Sequence, residues 1–310
     1  MFALKEKSLG HQLQEGPKKI FAGHEQTNDM INLFITWNPS PEIFSLGSFS
    51  LKYYSLAFML GFAVSYFILL RNFEQKSLTT PLLDKLTIYV FIGTLAGARL
   101  GHCLFYDFAY FSKHPLEIFL PVTFEPHFQF TGFQGLASHG GGIGIIIGLW
   151  LFSRRFHISL WYLLDQVAIV VPLAGAFIRL GNLMNSEIIG KPTGLPWAFV
   201  FKYVDNIPRH PSQLYEVFGY LLTFALLYSL AKKNPRHPGY YFGFLVTILF
   251  SFRFFIEFTK EIQSSFESNL PIDMGQLLSI PFVLIGIWIM VNMRKRSTIP
   301  LPPMNKLDLS

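Results

Sequence analysis

Seven stretches of this 310-residue chain come close to the length of a membrane-crossing helix, and several of them contain arginine. A bilayer core takes about 20 mostly apolar residues as helix. The stretches run roughly over 49–70, 86–106, 137–153, 161–181, 213–231, 239–259 and 275–293. They predict an all-α polytopic membrane protein of about seven transmembrane helices. Composition fits a bundle in lipid: 14% of residues are charged, where a soluble domain carries about 25%. The third stretch is short, and His139-Gly140-Gly141-Gly142 reads as a non-helical entry to it.

Basic residues alternate from loop to loop. Arg71, Lys76 and Lys85 follow the first span, and Arg154 and Arg155 the third. Lys232, Lys233 and Arg236 follow the fifth, and Arg294, Lys295 and Arg296 the seventh. The other loops are poorer. The positive-inside bias therefore puts the N-terminus outside and the C-terminus in the cytoplasm. The net charge of +6 becomes a topology signal, and nucleic-acid binding drops out. Residues 1–45 hold scattered Lys and Glu without a sustained apolar core, unlike a secretory signal peptide. They are expected to form a polar, poorly ordered extension. A transmembrane domain over 46–296 and a cytoplasmic tail over 297–310 follow. Cys103, the single cysteine, excludes an internal disulfide and reads as a small buried hydrophobe.

A charge at the bilayer centre costs at least about 2.5–3.5 kcal/mol on insertion scales, so it marks a functional site by default. Arg99 lies inside the second span, Arg179 at the end of the fourth, and Arg253 and Glu257 in the sixth. Arg253 and Glu257 are four apart, a spacing that also suits a structural pair. Arg99 also suits a helix-gluing role. Arg179 is followed by Gly181, Asn182, Asn185 and Glu187, more hydrogen-bonding groups than packing needs. His139 could accept a proton near neutral pH. Arg209-His210-Pro211-Ser212-Gln213-Leu214-Tyr215-Glu216 opens the fifth span and also reads as a capped helix entry. Lys52, Tyr53 and Tyr54 open the first, where interfacial aromatics are ordinary. The topology places these groups toward the outer face. Arginine forks gathered there suit a phospholipid phosphate. The residues themselves point to a lipid-phosphate site with a candidate general base.

Taken together, the segments resemble the prolipoprotein diacylglyceryl transferase family. The matching pieces are Tyr53-Tyr54-Ser55-Leu56, Gly97-Ala98-Arg99-Leu100-Gly101 and Ser138-His139-Gly140-Gly141-Gly142-Ile143-Gly144. They continue with Arg179-Leu180-Gly181-Asn182-Leu183-Met184-Asn185-Ser186-Glu187, similar to the family signature, and with the 209–216 segment. Arg253-Phe254-Phe255-Ile256-Glu257-Phe258 and Met274-Gly275-Gln276-Leu277-Leu278-Ser279-Ile280-Pro281 complete the order. The resemblance covers roughly residues 40–295. It implies a seven-span enzyme of the bacterial cytoplasmic (inner) membrane. Such an enzyme moves the diacylglyceryl group of phosphatidylglycerol to the lipobox cysteine of a preprolipoprotein signal peptide. A thioether forms, glycerol 1-phosphate leaves, and no metal or cofactor is used. The resemblance implies His139, Arg253, Tyr54 and Glu257 as catalytic residues. It implies Arg179, Asn182, Asn185, Glu187 and Arg99 as the phosphatidylglycerol-binding set, Arg99 with an alternative as a cavity-shaping residue.

Ser186 stands where the signature usually has glycine, Lys52 where histidine is common, and the outer loop between Glu187 and Arg209 is short. Competing readings fare less well. An anion transporter would predict internal repeats, and none is visible. An intramembrane hydrolase needs an activated nucleophile, yet no Gly-x-Ser-x-Gly occurs. A non-catalytic phospholipid-binding relative stays open, although every key polar residue is present.

Overall fold

The computed structural model describes residues 34–46, 49–75, 79–124, 127–130, 135–233, 236–261 and 273–293. The helices, in chain order, begin with α1 (Tyr53–Gln75), α2 (Thr80–Phe105), the short α3 (Phe108–Phe111) and α4 (Leu116–Phe119), and α5 (Ser138–Phe156). They continue with α6 (Leu160–Met184), α7 (Ser212–Lys233), α8 (Tyr240–Ile256) and α9 (Met274–Asn292). Six of the long helices are long and apolar enough to cross a membrane: α1, α2, α6, α7, α8 with its following turn, and α9. The chain is a polytopic all-α membrane protein. The remaining long helix, α5, falls at the expected third span. It contains five glycines and ends on Arg154 and Arg155, which lowers its apolarity below that of the six.

The expected non-helical entry to α5 is a correction. His139–Gly142 is helical from Ser138 onward, with the Ala137 amide donating to the Ala98 carbonyl at 2.9 Å. Glycine inside a helix costs about 1 kcal/mol relative to alanine. Here close approach offsets that cost. A Cβ added at Gly140 would lie 2.2 Å from the Gly97 carbonyl oxygen, and one at Gly144 would lie 1.9 Å from that of Gly93. The α2 and α5 backbones therefore touch along a glycine seam. A second seam joins α8 and α9, where a Cβ on Gly243 would meet the Gly286 carbonyl oxygen at 2.8 Å.

One end of the bundle is closed by an apolar core. Leu82, Leu83 and Leu86 of α2 are almost fully buried, with Leu149 and Phe152 of α5 and Leu163 of α6. Beside it, buried Asp165 accepts from the Gly239 amide at 2.7 Å and the Phe242 amide at 2.8 Å. It thereby caps the start of α8, whose first amides have no helical partner.

The opposite end carries short strands. These are β1 (Ile35–Trp37), β2 (Glu42–Leu46), β3 (Phe49–Lys52), β4 (Val122–Thr123), β5 (Gln129–Phe130), β6 (Phe199–Phe201) and β7 (Pro208–Arg209). β1 runs parallel to β6, which pairs antiparallel with β7. β2 and β3 form a hairpin leading into α1. Two of these strands fall inside the extension expected to be poorly ordered. The Trp37 indole gives the reason: it donates to the Leu183 carbonyl at 2.9 Å and packs on Phe199, so the chain from residue 34 is tied to the end of α6. Residues 1–33 and the tail over 297–310 lie outside the described residues.

Candidate active site

Successive long helices alternate in direction, so the polar residues singled out in the sequence fall at the strand-bearing end of the bundle. The signature forms the last turn of α6 and its exit. Arg179 and Asn182 are one turn apart, and an Arg179 Nη1–H donates to Asn182 Oδ1 at 3.0 Å. The helix stops at Met184, and the Glu187 amide turns back to the Asn182 carbonyl at 3.1 Å. This fold-back presents Glu187 Oε1 to the side-chain amides of Asn182 at 2.8 Å and Asn185 at 3.2 Å. The reversal uses left-handed backbone at Ser186 (φ 53) and Ile188 (φ 58). Ser186 thus occupies a conformation that glycine adopts at no steric cost, which accounts for the glycine usual there. A β-branched residue at positive φ, as at Ile188, is a strained outlier of the kind that clusters at functional sites.

Two other elements close on Arg179. Glu216, on the second turn of α7, is 1% exposed and sets Oε2 2.9 Å from Arg179 Nε. The contact is an ion pair by distance, and Oε2 receives no directed hydrogen bond. The other oxygen, Oε1, lies 3.0 Å from Lys260 Nζ, which also reaches Glu257 Oε2 at 3.5 Å. Tyr220, one turn beyond Glu216, lies in electrostatic reach of the same guanidinium. Gln213 donates to the Glu187 carbonyl at 2.7 Å. Tyr54 stacks on the backbone at Gly181, where a Cβ would come within 2.8 Å of its ring, and lies in electrostatic reach of Glu187 and Arg179.

Arg253 lies in electrostatic reach of His139 on α5 and of Tyr220. Among the described residues its side chain makes no hydrogen bond or ion pair, and the i,i+4 pair with Glu257 is not formed. α8 ends at Ile256, so Glu257 sits on a 3-10 turn (Glu257–Thr259) and turns toward Lys260 instead. Arg99 is engaged elsewhere. Its guanidinium donates to the carbonyls of Ile118, at 3.1 Å, and Glu117, both in α4, and lies 4.7 Å above the Phe111 ring. It also lines an apolar cleft of about 260 Å³ between α2 and α4.

The loop over the site is clasped from outside. Burial works against the charge of Arg209, but its pairs with Asp205 and Glu261 outweigh it and hold the guanidinium above its ordinary pKa. Burial pushes the His210 imidazole below its ordinary value; its Nδ1 lies 3.2 Å from the Tyr215 hydroxyl. Lys260 and Tyr220 were missed in the sequence. Lys260 had a signal in its i,i+3 spacing to Glu257, whereas Tyr220 had none. Glu216, read as a helix entry, is the partner of both Arg179 and Lys260.

The family profile described as prolipoprotein diacylglyceryl transferase matches residues 41–292. The chain belongs to that family. Every residue of the Arg179 constellation lies within the match. A protein of Bacteroides fragilis named phosphatidylglycerol-prolipoprotein diacylglyceryl transferase is 46% identical over 271 residues, covering 86% of this chain and 98% of the relative. Proteins of the same name from Tolumonas auensis and Porphyromonas gingivalis are 43% and 44% identical, covering 82% and 83% of this chain and 96% and 94% of those relatives.

Proposed function

We propose that the chain transfers the sn-1,2-diacylglyceryl group of phosphatidylglycerol to the lipobox cysteine of a preprolipoprotein, the first step of bacterial lipoprotein maturation. The observation that carries this reading is Arg179, held by Glu216 and Asn182 at 2.9 and 3.0 Å. A guanidinium oriented by fixed partners is suited to take phosphate oxygens. Arg253, without an ion pair among the described residues, supplies the second cation. The family resemblance supports a cytoplasmic-membrane location, and the alternation of basic loops supports an orientation with this site toward the outer face, where a translocated signal peptide presents its cysteine.

The reaction needs a sulfur nucleophile and a stabilised leaving group. The cysteine thiol loses its proton to a base, for which His139 is the candidate. The thiolate attacks the diacylglyceryl carbon that bears the phosphate ester. The C–S bond forms as the C–O bond breaks, and glycerol 1-phosphate leaves with the electron pair. Arg179 and Arg253 stabilise the charge gathering on the phosphate oxygens. Asn182, Asn185 and Glu187 hold the signature turn against the headgroup, with Tyr54 as its wall and Glu257 as the carboxylate that fixes Lys260. Arg99 braces the α4 loop and shapes the cavity beside it.

The test mixes purified protein with phosphatidylglycerol and a lipobox peptide and seeks the diacylglyceryl thioether by mass spectrometry. The thioether is expected. The absence of both the thioether and glycerol phosphate release would overturn the reading. A His139→Gln variant with full turnover would remove the histidine from the proton-accepting role.

A further inference from the structure

Lys260 belongs to neither phosphate-binding arginine, yet it is 4% exposed and lies between two carboxylates. A lysine is almost never so buried unless paired. Its backbone is fixed independently. The Lys191 amide donates to the Thr259 carbonyl at 2.8 Å, and Gly190 pairs with Lys260 as an isolated bridge. Glu257 is clamped from behind by Gly275 of α9, where a Cβ would come within 2.5 Å of the carboxylate carbon. The result is an alternating chain of charges, Arg179–Glu216–Lys260–Glu257, drawn from α6, α7 and the turn after α8.

We propose that Lys260 is a positioning residue for the Arg179 clamp: its ammonium holds Glu216 on Oε1, so that Oε2 stays aimed at the guanidinium. The inference rests on Arg179 as the phosphate ligand. Removing the ammonium leaves the Glu216 and Glu257 carboxylates without the cation between them, with Arg179 the remaining paired cation and Tyr220 and Arg253 as neighbours. Like charges in a low-dielectric site repel, so Glu216 turns toward or away from Arg179 without restraint. The guanidinium loses its fixed plane, and phosphate binding weakens while the path for the peptide is untouched.

The test measures kcat and KM for phosphatidylglycerol and for a lipobox peptide in Lys260→Met, Lys260→Arg, Glu216→Gln and the Lys260→Met/Glu216→Gln double variant. Lys260→Met is expected to lower kcat/KM for phosphatidylglycerol at least about tenfold, the scale of coupling within one charge network. Part of that loss falls in KM for the lipid, while KM for the peptide stays within about twofold. Lys260→Arg restores most of the activity, and the double variant is no worse than Lys260→Met. A normal kcat/KM in Lys260→Met, equal KM changes for both substrates, or strictly additive losses would each overturn the proposal. If Lys260→Met does not fold, Lys260→Gln, which keeps two N–H donors, must show the same lipid-specific loss or the proposal fails. Arg179→Ala is run in parallel. If it turns over normally, the clamp reading itself is wrong; if it is inactive while Lys260→Met is normal, only the role of Lys260 is lost.

Discussion

Gly144→Ala tests whether the glycine seam positions the chemistry. The residue lies on α5, between His139 and the buried far end, and touches no polar group of the site. A Cβ there would sit 1.9 Å from the Gly93 carbonyl oxygen, 2.8 Å from its carbon and 3.0 Å from the Gly97 Cα. These are backbone atoms of α2, so no side chain can swing away. Moving the new carbon from 1.9 Å to an ordinary C···O contact of about 3.3 Å needs the helices to part locally by about 1.4 Å. Overpacking of this kind costs about 1–3 kcal/mol. The displacement carries His139 with α5, and a misplacement of about 1 Å can cost on the order of 100-fold in rate. Turnover is therefore expected to fall about 100-fold, with a lowered thermal midpoint in detergent. Gly141→Ala is the matched control, because its Cβ would meet Ala98 and Thr94 at 3.6 and 3.7 Å, ordinary contact. It should fold and turn over like the wild type. Wild-type turnover in Gly144→Ala, or equal losses in both variants, would refute the seam as a positioning element.

Two further outcomes concern groups away from the site. Burial raises the Glu117 carboxyl, but the Phe124 amide at 2.9 Å and the Tyr110 hydroxyl at 2.8 Å outweigh it and hold the group below its ordinary value. A depressed folded-state pKa stabilises above the unfolded value and is lost as pH falls through the folded one. The wild-type thermal midpoint should therefore drop on acidification below the ordinary carboxyl value of 4.5 more steeply than that of Glu117→Gln, and parallel curves would contradict this. Asp165→Ala strips one buried and one part-buried amide of their acceptor and should cost about 1–3 kcal/mol for the buried one and less for the other. Hydrogen exchange at Gly239 and Phe242 would rise first; unchanged exchange there would show that another acceptor takes over.

Much of the bundle was legible because a bilayer imposes one length on every span. Each of the seven stretches holds a helix, displaced by a few residues at the ends, and Arg179, Asn182, Asn185 and Glu187 come together as their spacing suggested. Local signals failed where tertiary contact decides. His139–Gly142 looked like a helix breaker because glycine is a poor helix former alone, whereas the close approach of α2 accepts only glycine at position 140. Arg253 and Glu257 have the spacing of a helical pair, but the helix ends between them. Lys260 read as a loop charge because its partner Glu216 lies 44 positions earlier (260 minus 216) on another helix. Arg99 carried the correct sign for a phosphate but is occupied by the carbonyls of α4, which no periodicity reveals. The β1 strand is too short to stand out, and only the Trp37 bond to Leu183 explains its order.

In the proposed reaction Arg179, fixed by Glu216 and Asn182, holds the phosphate of phosphatidylglycerol during transfer. Glycerol phosphate released from phosphatidylglycerol vesicles in the presence of lipobox peptide tests it, measured for wild type and Arg179→Ala. Glu216 keeps Lys260 as its partner in the variant, at 3.0 Å in the intact site, so the fold and thermal midpoint should survive. Release should fall by on the order of 100–1,000-fold, the loss expected when a group that stabilises developing charge is removed. Release at the wild-type rate from a folded Arg179→Ala protein would contradict the account.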